Sequence, residues 1–236
     1  APIIGAGNLS VTVGKGTTTY VAFGNQGCGT VLSAANLQVF KYSDPAANFT
    51  GTTELGGWTI SITGTAGAAT GFNASEDTVA GNGAFFLGIP DGTYTVCETA
   101  KAGWAVVGSK YHAVNQAGVC RTGVSVVLDK TTVVNFYNQP RVNIEVNKTE
   151  ISLATPGGAP GNGWSFTLTG CGITPQVAVT GANGKATFSD LPPAVGCTYT
   201  VTETVKSGWS AINPVQVTAP TAAGQTAVLN FTNVKI

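Results

Sequence analysis

Thr131-Thr132-Val133-Val134-Asn135-Phe136-Tyr137-Asn138 is a β-branched, alternating run that closes on Phe-x-Asn. Two other stretches are variants of it. They are Thr18-Thr19-Tyr20-Val21-Ala22-Phe23-Gly24-Asn25 and Thr226-Ala227-Val228-Leu229-Asn230-Phe231-Thr232-Asn233. Alternation in β-branched residues predicts a half-buried strand in each case. The runs at 131–138 and 226–233 each end a module of roughly a hundred residues. The run at 18–25 has almost no chain before it. The sequence therefore holds two complete modules and one orphan copy of a module's last strand.

The modules align along their length. Gly57-Trp58-Thr59-Ile60-Ser61-Ile62-Thr63-Gly64 matches Gly163-Trp164-Ser165-Phe166-Thr167-Leu168-Thr169-Gly170. Thr93-Tyr94-Thr95-Val96-Cys97-Glu98-Thr99 matches Thr198-Tyr199-Thr200-Val201-Thr202-Glu203-Thr204, and Lys101-Ala102-Gly103-Trp104 matches Lys206-Ser207-Gly208-Trp209. Strands are predicted in the second module near 142–150, 163–169, 176–180, 184–189, 197–204, 213–218 and 226–233. Turn signals such as Asn183-Gly184 and Pro192-Pro193 separate them. About seven short strands at this spacing predict a β-sandwich. The fold class is all-β: two tandem Ig-like or prealbumin-like sandwiches (36–139 and 140–236) behind an N-terminal strand extension (1–35). The connector Gln139-Pro140-Arg141 is too short for a loose tether, which predicts a stiff pair.

Composition narrows the function. Charged residues make up 9% of the chain and Gly numbers 32, which fits short strands and tight turns. Lys+Arg and Asp+Glu balance at 11 each, so no basic face is available for nucleic acid or an anionic membrane. No apolar run is long enough to span a bilayer as a helix. The opening Ala1-Pro2-Ile3-Ile4, without a starting Met, predicts a processed chain that is secreted to the extracellular space or cell surface. Sequons at Asn8, Asn48, Asn73, Asn147 and Asn230 fit export, and the first four mark glycosylation candidates.

The only His is His112, and no nucleophile–base pair, phosphate loop or calcium loop stands out. No enzyme activity, cofactor or metal is expected. Pairing within modules, Cys97–Cys120 and Cys171–Cys197, is the simplest disulfide scheme and suits an oxidising compartment. Cys28 is left over, as a buried free thiol or as the partner in a swapped pairing. Trp58 and Trp164 are expected to plug the cores. Trp104 and Trp209 follow Gly in turns, where corner packing is favoured over a sugar platform because all four recur at equivalent places.

Each module also carries a Lys on its first strand (Lys41, Lys148), a Glu in its penultimate region (Glu98, Glu203) and an Asn closing its last strand (Asn138, Asn233). First and last strands of a sandwich are commonly neighbours, so these groups can meet inside the core. Burial drives Lys towards the neutral amine and keeps Glu protonated. Lys can then displace ammonia from Asn, with Glu shuttling protons, in a single-turnover self-reaction.

An early Lys, then Tyr-Thr-Val-x-Glu followed by Gly-Trp, then a final Phe-x-Asn resembles the Cna B-type (prealbumin-like) domain of bacterial pilins and surface adhesins. The resemblance covers about 36–236, twice. It implies intramolecular isopeptide bonds Lys41–Asn138 and Lys148–Asn233, with Glu98 and Glu203 as the autocatalytic residues. The family's Leu-Pro-x-Thr-Gly sorting signal is absent from the sequence. The function expected is a structural subunit of a pilus-like extracellular filament or surface stalk. Residues 7–25 read as two alternating strands, 8–13 and 17–23, with three hosts open to them: their own first domain, a previous domain of a longer protein, or the sheet of a neighbouring copy, where β-strand addition would supply homopolymer contacts. The alternative is an adhesin or carbohydrate-binding module with a host or surface glycan as partner.

Overall fold

The computed structural model describes residues 34–236. The run at 18–25, the strand-addition segment 7–25 that contains it, Cys28 and the Asn8 sequon lie outside the described residues.

Up to Pro140 the chain forms β1 (Ala35–Ser43), β2 (Thr53–Glu54), β3 (Thr59–Ala66), β4 (Asn73–Asp77) and β5 (Ala84–Ile89). These are followed by β6 (Gly92–Glu98), β7 (Trp104–Tyr111), β8 (Val114–Gln116), β9 (Cys120–Val126) and β10 (Thr131–Pro140). One sheet runs β2-β1-β10-β7-β8 with β5 also on β1, and the other runs β4-β3-β6-β9. The alternation read from sequence is the burial pattern observed. Leu37 and Val39 of β1, Ile60 and Ile62 of β3, Tyr94 and Val96 of β6 and Val134 and Phe136 of β10 fill one core. The residues between them turn to the opposite face, as a period of two requires, where Tyr137 is itself buried against Tyr42 and Phe49.

The plan repeats beyond Arg141. The strands are β11 (Val142–Ser152), β12 (Thr155–Pro160), β13 (Ser165–Gly170), β14 (Gln176–Val179) and β15 (Lys185–Leu191). After them come β16 (Tyr199–Thr204), β17 (Trp209–Ala211), β18 (Val215–Thr218) and β19 (Thr226–Lys235). One sheet is β12-β11-β19-β17 with β15 on β11, and the other is β14-β13-β16-β18. A second core gathers Val142, Ile144, Val146, Trp164, Phe166, Tyr199, Val201 and Phe231. In each core a buried Tyr donates its hydroxyl back to the turn before its strand, Tyr94 to Pro90 O (2.6 Å) and Tyr199 to Pro192 O (2.8 Å).

The first and last strands of each module lie side by side and run parallel, β1 with β10 and β11 with β19. Parallel neighbours cannot be joined by a hairpin, so the rest of each module is the crossover between them. Two strands were not anticipated. β12 is Thr155-Pro156-Gly157-Gly158-Ala159-Pro160, which reads as a turn, yet it pairs at the edge of β11 where Pro and Gly are tolerated. β17 is three residues long and starts at Trp209, which was expected in a turn. Trp104 likewise opens β7. Only Arg141 separates β10 from β11. Its N–H donates to Gly103 O (2.7 Å) and its carbonyl accepts from Gly224 N–H (2.8 Å). Among the described residues no helix is long and apolar enough to cross a membrane.

Candidate functional site

Alternation along β1 turns Leu37, Val39 and Lys41 to the same face, so an ammonium-bearing side chain enters an apolar core. Lys41 is 1% exposed and Lys148 2%. Register then sets the neighbours. Lys41 pairs with Phe136, and Asn138 follows two residues later on the same face of β10. In the second module Lys148 pairs with Phe231 and Asn233 stands two residues on. Asn138 and Asn233 are both 0% exposed. The Glu comes from the opposite sheet. Glu98 ends β6 across from Ile60, and Glu203 lies on β16 across from Phe166.

The three groups meet in both modules. Lys41 Nζ is 2.5 Å from Glu98 Oε2, and Asn138 Nδ2 donates to the same oxygen at 3.4 Å. Lys148 Nζ is 2.8 Å from Glu203 Oε1, and Asn233 Nδ2 donates to that oxygen, also at 2.8 Å. One carboxylate oxygen thus gathers the amine and the carboxamide in each case. The atoms left without a hydrogen-bond partner match as well. They are Glu98 Oε1 with Asn138 Oδ1, and Glu203 Oε2 with Asn233 Oδ1. Buried acceptors without donors are costly. A proton on the free carboxyl oxygen and a turned-over amide would convert each orphaned pair into a donor and an acceptor.

Burial sets the electrostatics. It lowers the Lys41 pKa to about 8, against the pull of Glu98, and pushes the Glu98 carboxyl up, against the pull of Lys41 and the bond from Asn138. Lys148 is also lowered by burial. Its bond to Glu203, the Glu203 charge and the Glu150 charge oppose the shift, while Lys206 adds to it. An amine and an acid moved in these directions can hold one proton between them in either place, and the uncharged arrangement contains a nucleophile beside an acid.

A Trp closes each cluster. Trp58 lies 5.5 Å from Lys41 Nζ and Trp164 4.3 Å from Lys148 Nζ, ring centroid to nitrogen. A second Lys of each module, Lys101 or Lys206, lies over the same ring at 4.4 or 4.5 Å. Trp104 and Trp209 meet these rings edge-on, at 5.3 and 5.7 Å between centroids. All four Trp residues therefore pack as pairs.

Residues the sequence did not single out hold the Trp in place. Thr78 Oγ1 accepts from Trp58 N (3.1 Å) and Thr180 Oγ1 from Trp164 N (3.0 Å), and both Thr are buried. Their signal was their recurrence after the aligned Trp strands. Glu150 was also missed. It registers with Asn233, and its Oε1 accepts the Trp164 indole N–H at 2.5 Å. Ser43 holds that register position in the first module, where Trp58 Nε1 is buried without a partner.

The remaining candidates sit elsewhere. Cys97–Cys120 and Cys171–Cys197 are disulfides, the first joining paired residues of β6 and β9. Asn48 and Asn73 are exposed, whereas Asn147 is half-buried on β11 and donates to Asn230 Oδ1 (3.2 Å). Among the described residues no group of three or more His, Cys, Asp or Glu is placed to hold a metal.

No family profile matches the sequence. No curated protein matches it either. Solved structures similar to it include the Bacillus anthracis TIE protein, at 20% identity over 86% of this chain and 34% of that one, with a TM-score of 0.39. This chain thus spans only 34% of the length of that structure. The minor pilin of Streptococcus agalactiae is 13% identical over 85% of this chain and 96% of its own, with a TM-score of 0.37. The shaft pilin of Lactobacillus rhamnosus GG is 13% identical over 86% and 98%, with a TM-score of 0.32.

Proposed function

We propose that this chain is a load-bearing structural subunit of an extracellular, pilus-like filament or cell-surface stalk, whose two sandwich modules (36–139 and 140–236) are each closed by a self-formed isopeptide bond. The carrying observation is the same buried Lys–Glu–Asn cluster, built twice on the first and last strands. An ion pair in a core is a poor route to stability, because desolvation offsets most of the attraction. A cluster conserved in geometry across both modules calls for another use, and amide exchange supplies one.

The reaction balances as follows. The neutral Lys41 amine attacks the Asn138 side-chain carbonyl carbon while Glu98 holds its proton against the carbonyl oxygen. The tetrahedral adduct collapses by losing the amide nitrogen as ammonia, which takes the one proton that Glu98 relays from the attacking amine. An amide and one ammonia result, and Glu98 ends protonated as it began. Lys148, Asn233 and Glu203 follow the same course. Strand addition by residues 7–25 to a neighbouring copy is the proposed assembly contact. The role is structural rather than enzymatic, since each cluster reacts once.

Intact mass after full reduction tests the reading. The expected result is a deficit of one ammonia per module, mapped by peptide analysis to Lys41–Asn138 and Lys148–Asn233 and abolished module by module in Glu98→Ala and Glu203→Ala. An unmodified mass removes the covalent mechanism.

A further inference from the structure

The stretch from Trp104 to Asn138 is ten residues longer than that from Trp209 to Asn233, 34 positions against 24. The extra chain is a hairpin. β7 runs eight residues where its counterpart β17 runs three, and β8 folds back on it through His112 and Ala113, both at positive φ (47° and 63°). Two successive residues in that region make the tight turn whose twist suits a hairpin. An addition carried by one copy of a repeated scaffold is where a separate binding role is to be sought.

The hairpin walls an open pocket of about 570 Å³, within the size range of ligand clefts. Lys110, His112, Ser125, Lys130, Thr131 and Val133 are among the residues lining it, and no carboxylate is. The charge balance of the chain makes this notable. Lys41, Lys148 and Lys185 are paired with Glu98, Glu203 and Glu145. Lys101 and Lys206 donate to Gly57 O and Asn162 O and lie over Trp rings, and Lys235 lies over Trp209. Among the described lysines, Lys110 and Lys130 alone have no such partner, and both face this one pocket.

We propose that the pocket binds an acidic oligosaccharide, with Lys110 and Lys130 receiving negative charges on different sugar units. Lys110 is cross-strand from Asn135, and Lys130 immediately precedes β10. The two therefore enter from points about 16 Å apart along the strand, a separation that suits a chain with repeated charges better than one small anion. The exposed hydroxyls of Thr131 and Ser125 offer partners for ring hydroxyls, and Val127 and Val133 offer apolar contact for ring faces. Two cations are too few for a nucleic acid, whose affinity scales with the phosphates neutralised. The site is independent of the isopeptide reading, since Lys110 and Lys130 take no part in it.

The test is binding of the full chain to an oligogalacturonate, a sulfated dextran oligomer, a neutral dextran oligomer and a short polyglutamate, followed by calorimetry or NMR titration. Expected is binding of at least one of the two acidic saccharides, weakening as salt is raised. Lys110→Gln and Lys130→Gln should each weaken it fivefold or more, with unchanged circular dichroism and intact mass. No binding of either acidic saccharide at millimolar concentration overturns the proposal. So does equal binding by the double variant, equal binding of the neutral oligomer, or polyglutamate binding as tightly as the saccharides.

Discussion

Replacing Asn138 by Ala removes the acceptor of the proposed Lys41 bond while leaving the Lys41–Glu98 pair in place. The amide would close a loop of about a hundred residues, which the Cys97–Cys120 disulfide, with its sequence separation of 23, short-cuts to about 75. Loop-closure entropy for that length gives about 4.5 kcal/mol at 25 °C. Losing the packing of a fully buried Asn adds roughly 1 kcal/mol. For a domain of this size each kcal/mol moves the midpoint by about 4–6 °C, so the first module should melt about 20–30 °C lower.

Differential scanning calorimetry of the full chain, with disulfides intact, reads this directly. The second module keeps its own cluster and serves as the internal reference. Glu98→Gln should fall into the same range, because it stops the reaction rather than removing the acceptor. The two variants disturb the core differently, so a shared large drop isolates the crosslink. If Asn138→Ala costs less than about 2 kcal/mol, packing alone accounts for it. No covalent loop was then closed, and the reasoning fails.

The remaining expectations are these. Removing the second disulfide by Cys171→Ala and Cys197→Ala, a sequence separation of 26, should cost about 3.5 kcal/mol in urea unfolding, with a steeper slope because the unfolded chain expands. In the uncrosslinked Asn138→Ala variant the folded Lys41 binds its proton less tightly than the unfolded chain does, at about 8 against 10.5, so stability should rise with pH between about 8 and 10. The gain should be roughly 2 kcal/mol, and a flat or falling profile in chemical denaturation over that window would contradict it. Glu150→Ser leaves the Trp164 indole N–H without its acceptor and should destabilise the second module by about 1–3 kcal/mol, read as a shift in its calorimetric transition alone.

Strand positions were legible because each core is built from period-two alternation. Leu37, Val39 and Lys41 share a face for the same reason that Ile60 and Ile62 do, and the repeat marks which polar residues share the core with them. The within-module pairing of the four described Cys was legible too, although only Cys97 and Cys120 are paired strand residues, while Cys171 follows β13 and Cys197 precedes β16. What stayed hidden was decided by partners rather than by local pattern. Thr155–Pro160 is a strand only because β11 offers an edge. Thr78, Thr180 and Glu150 matter through hydrogen bonds made across the fold to Trp backbones and an indole. The Lys110–Lys130 pocket depends on a ten-residue length difference whose meaning is visible only when the hairpin stands beside β10.

The parallel arrangement of first and last strands gives the proposed crosslinks a mechanical meaning. Tension entering along β1 and leaving along β10 would shear two neighbours past each other, breaking their ladder together. With Lys41 tied to Asn138, that tension runs along β1 to Lys41, across one amide, and out through Gln139, Pro140 and Arg141. Everything from Tyr42 to Tyr137 is then outside the load path. β11 receives the force after a single intervening residue and carries it to Lys148, where a second amide would pass it to Asn233. The bonds sit near the C-terminal ends of both strand pairs, which leaves the longest part of β1 and β11 as the bearing segment. That segment is also the one paired on both sides, by β10 and β5 in the first module and by β19 and β15 in the second. A cysteine-anchored pulling experiment on the full chain should therefore show no extension of either module below the rupture force of its anchors. Asn138→Ala should restore one unfolding event, with a contour gain shortened by the residues that Cys97–Cys120 encloses. Wild-type modules that unfold at ordinary sandwich forces would mean that the clusters are ion pairs only.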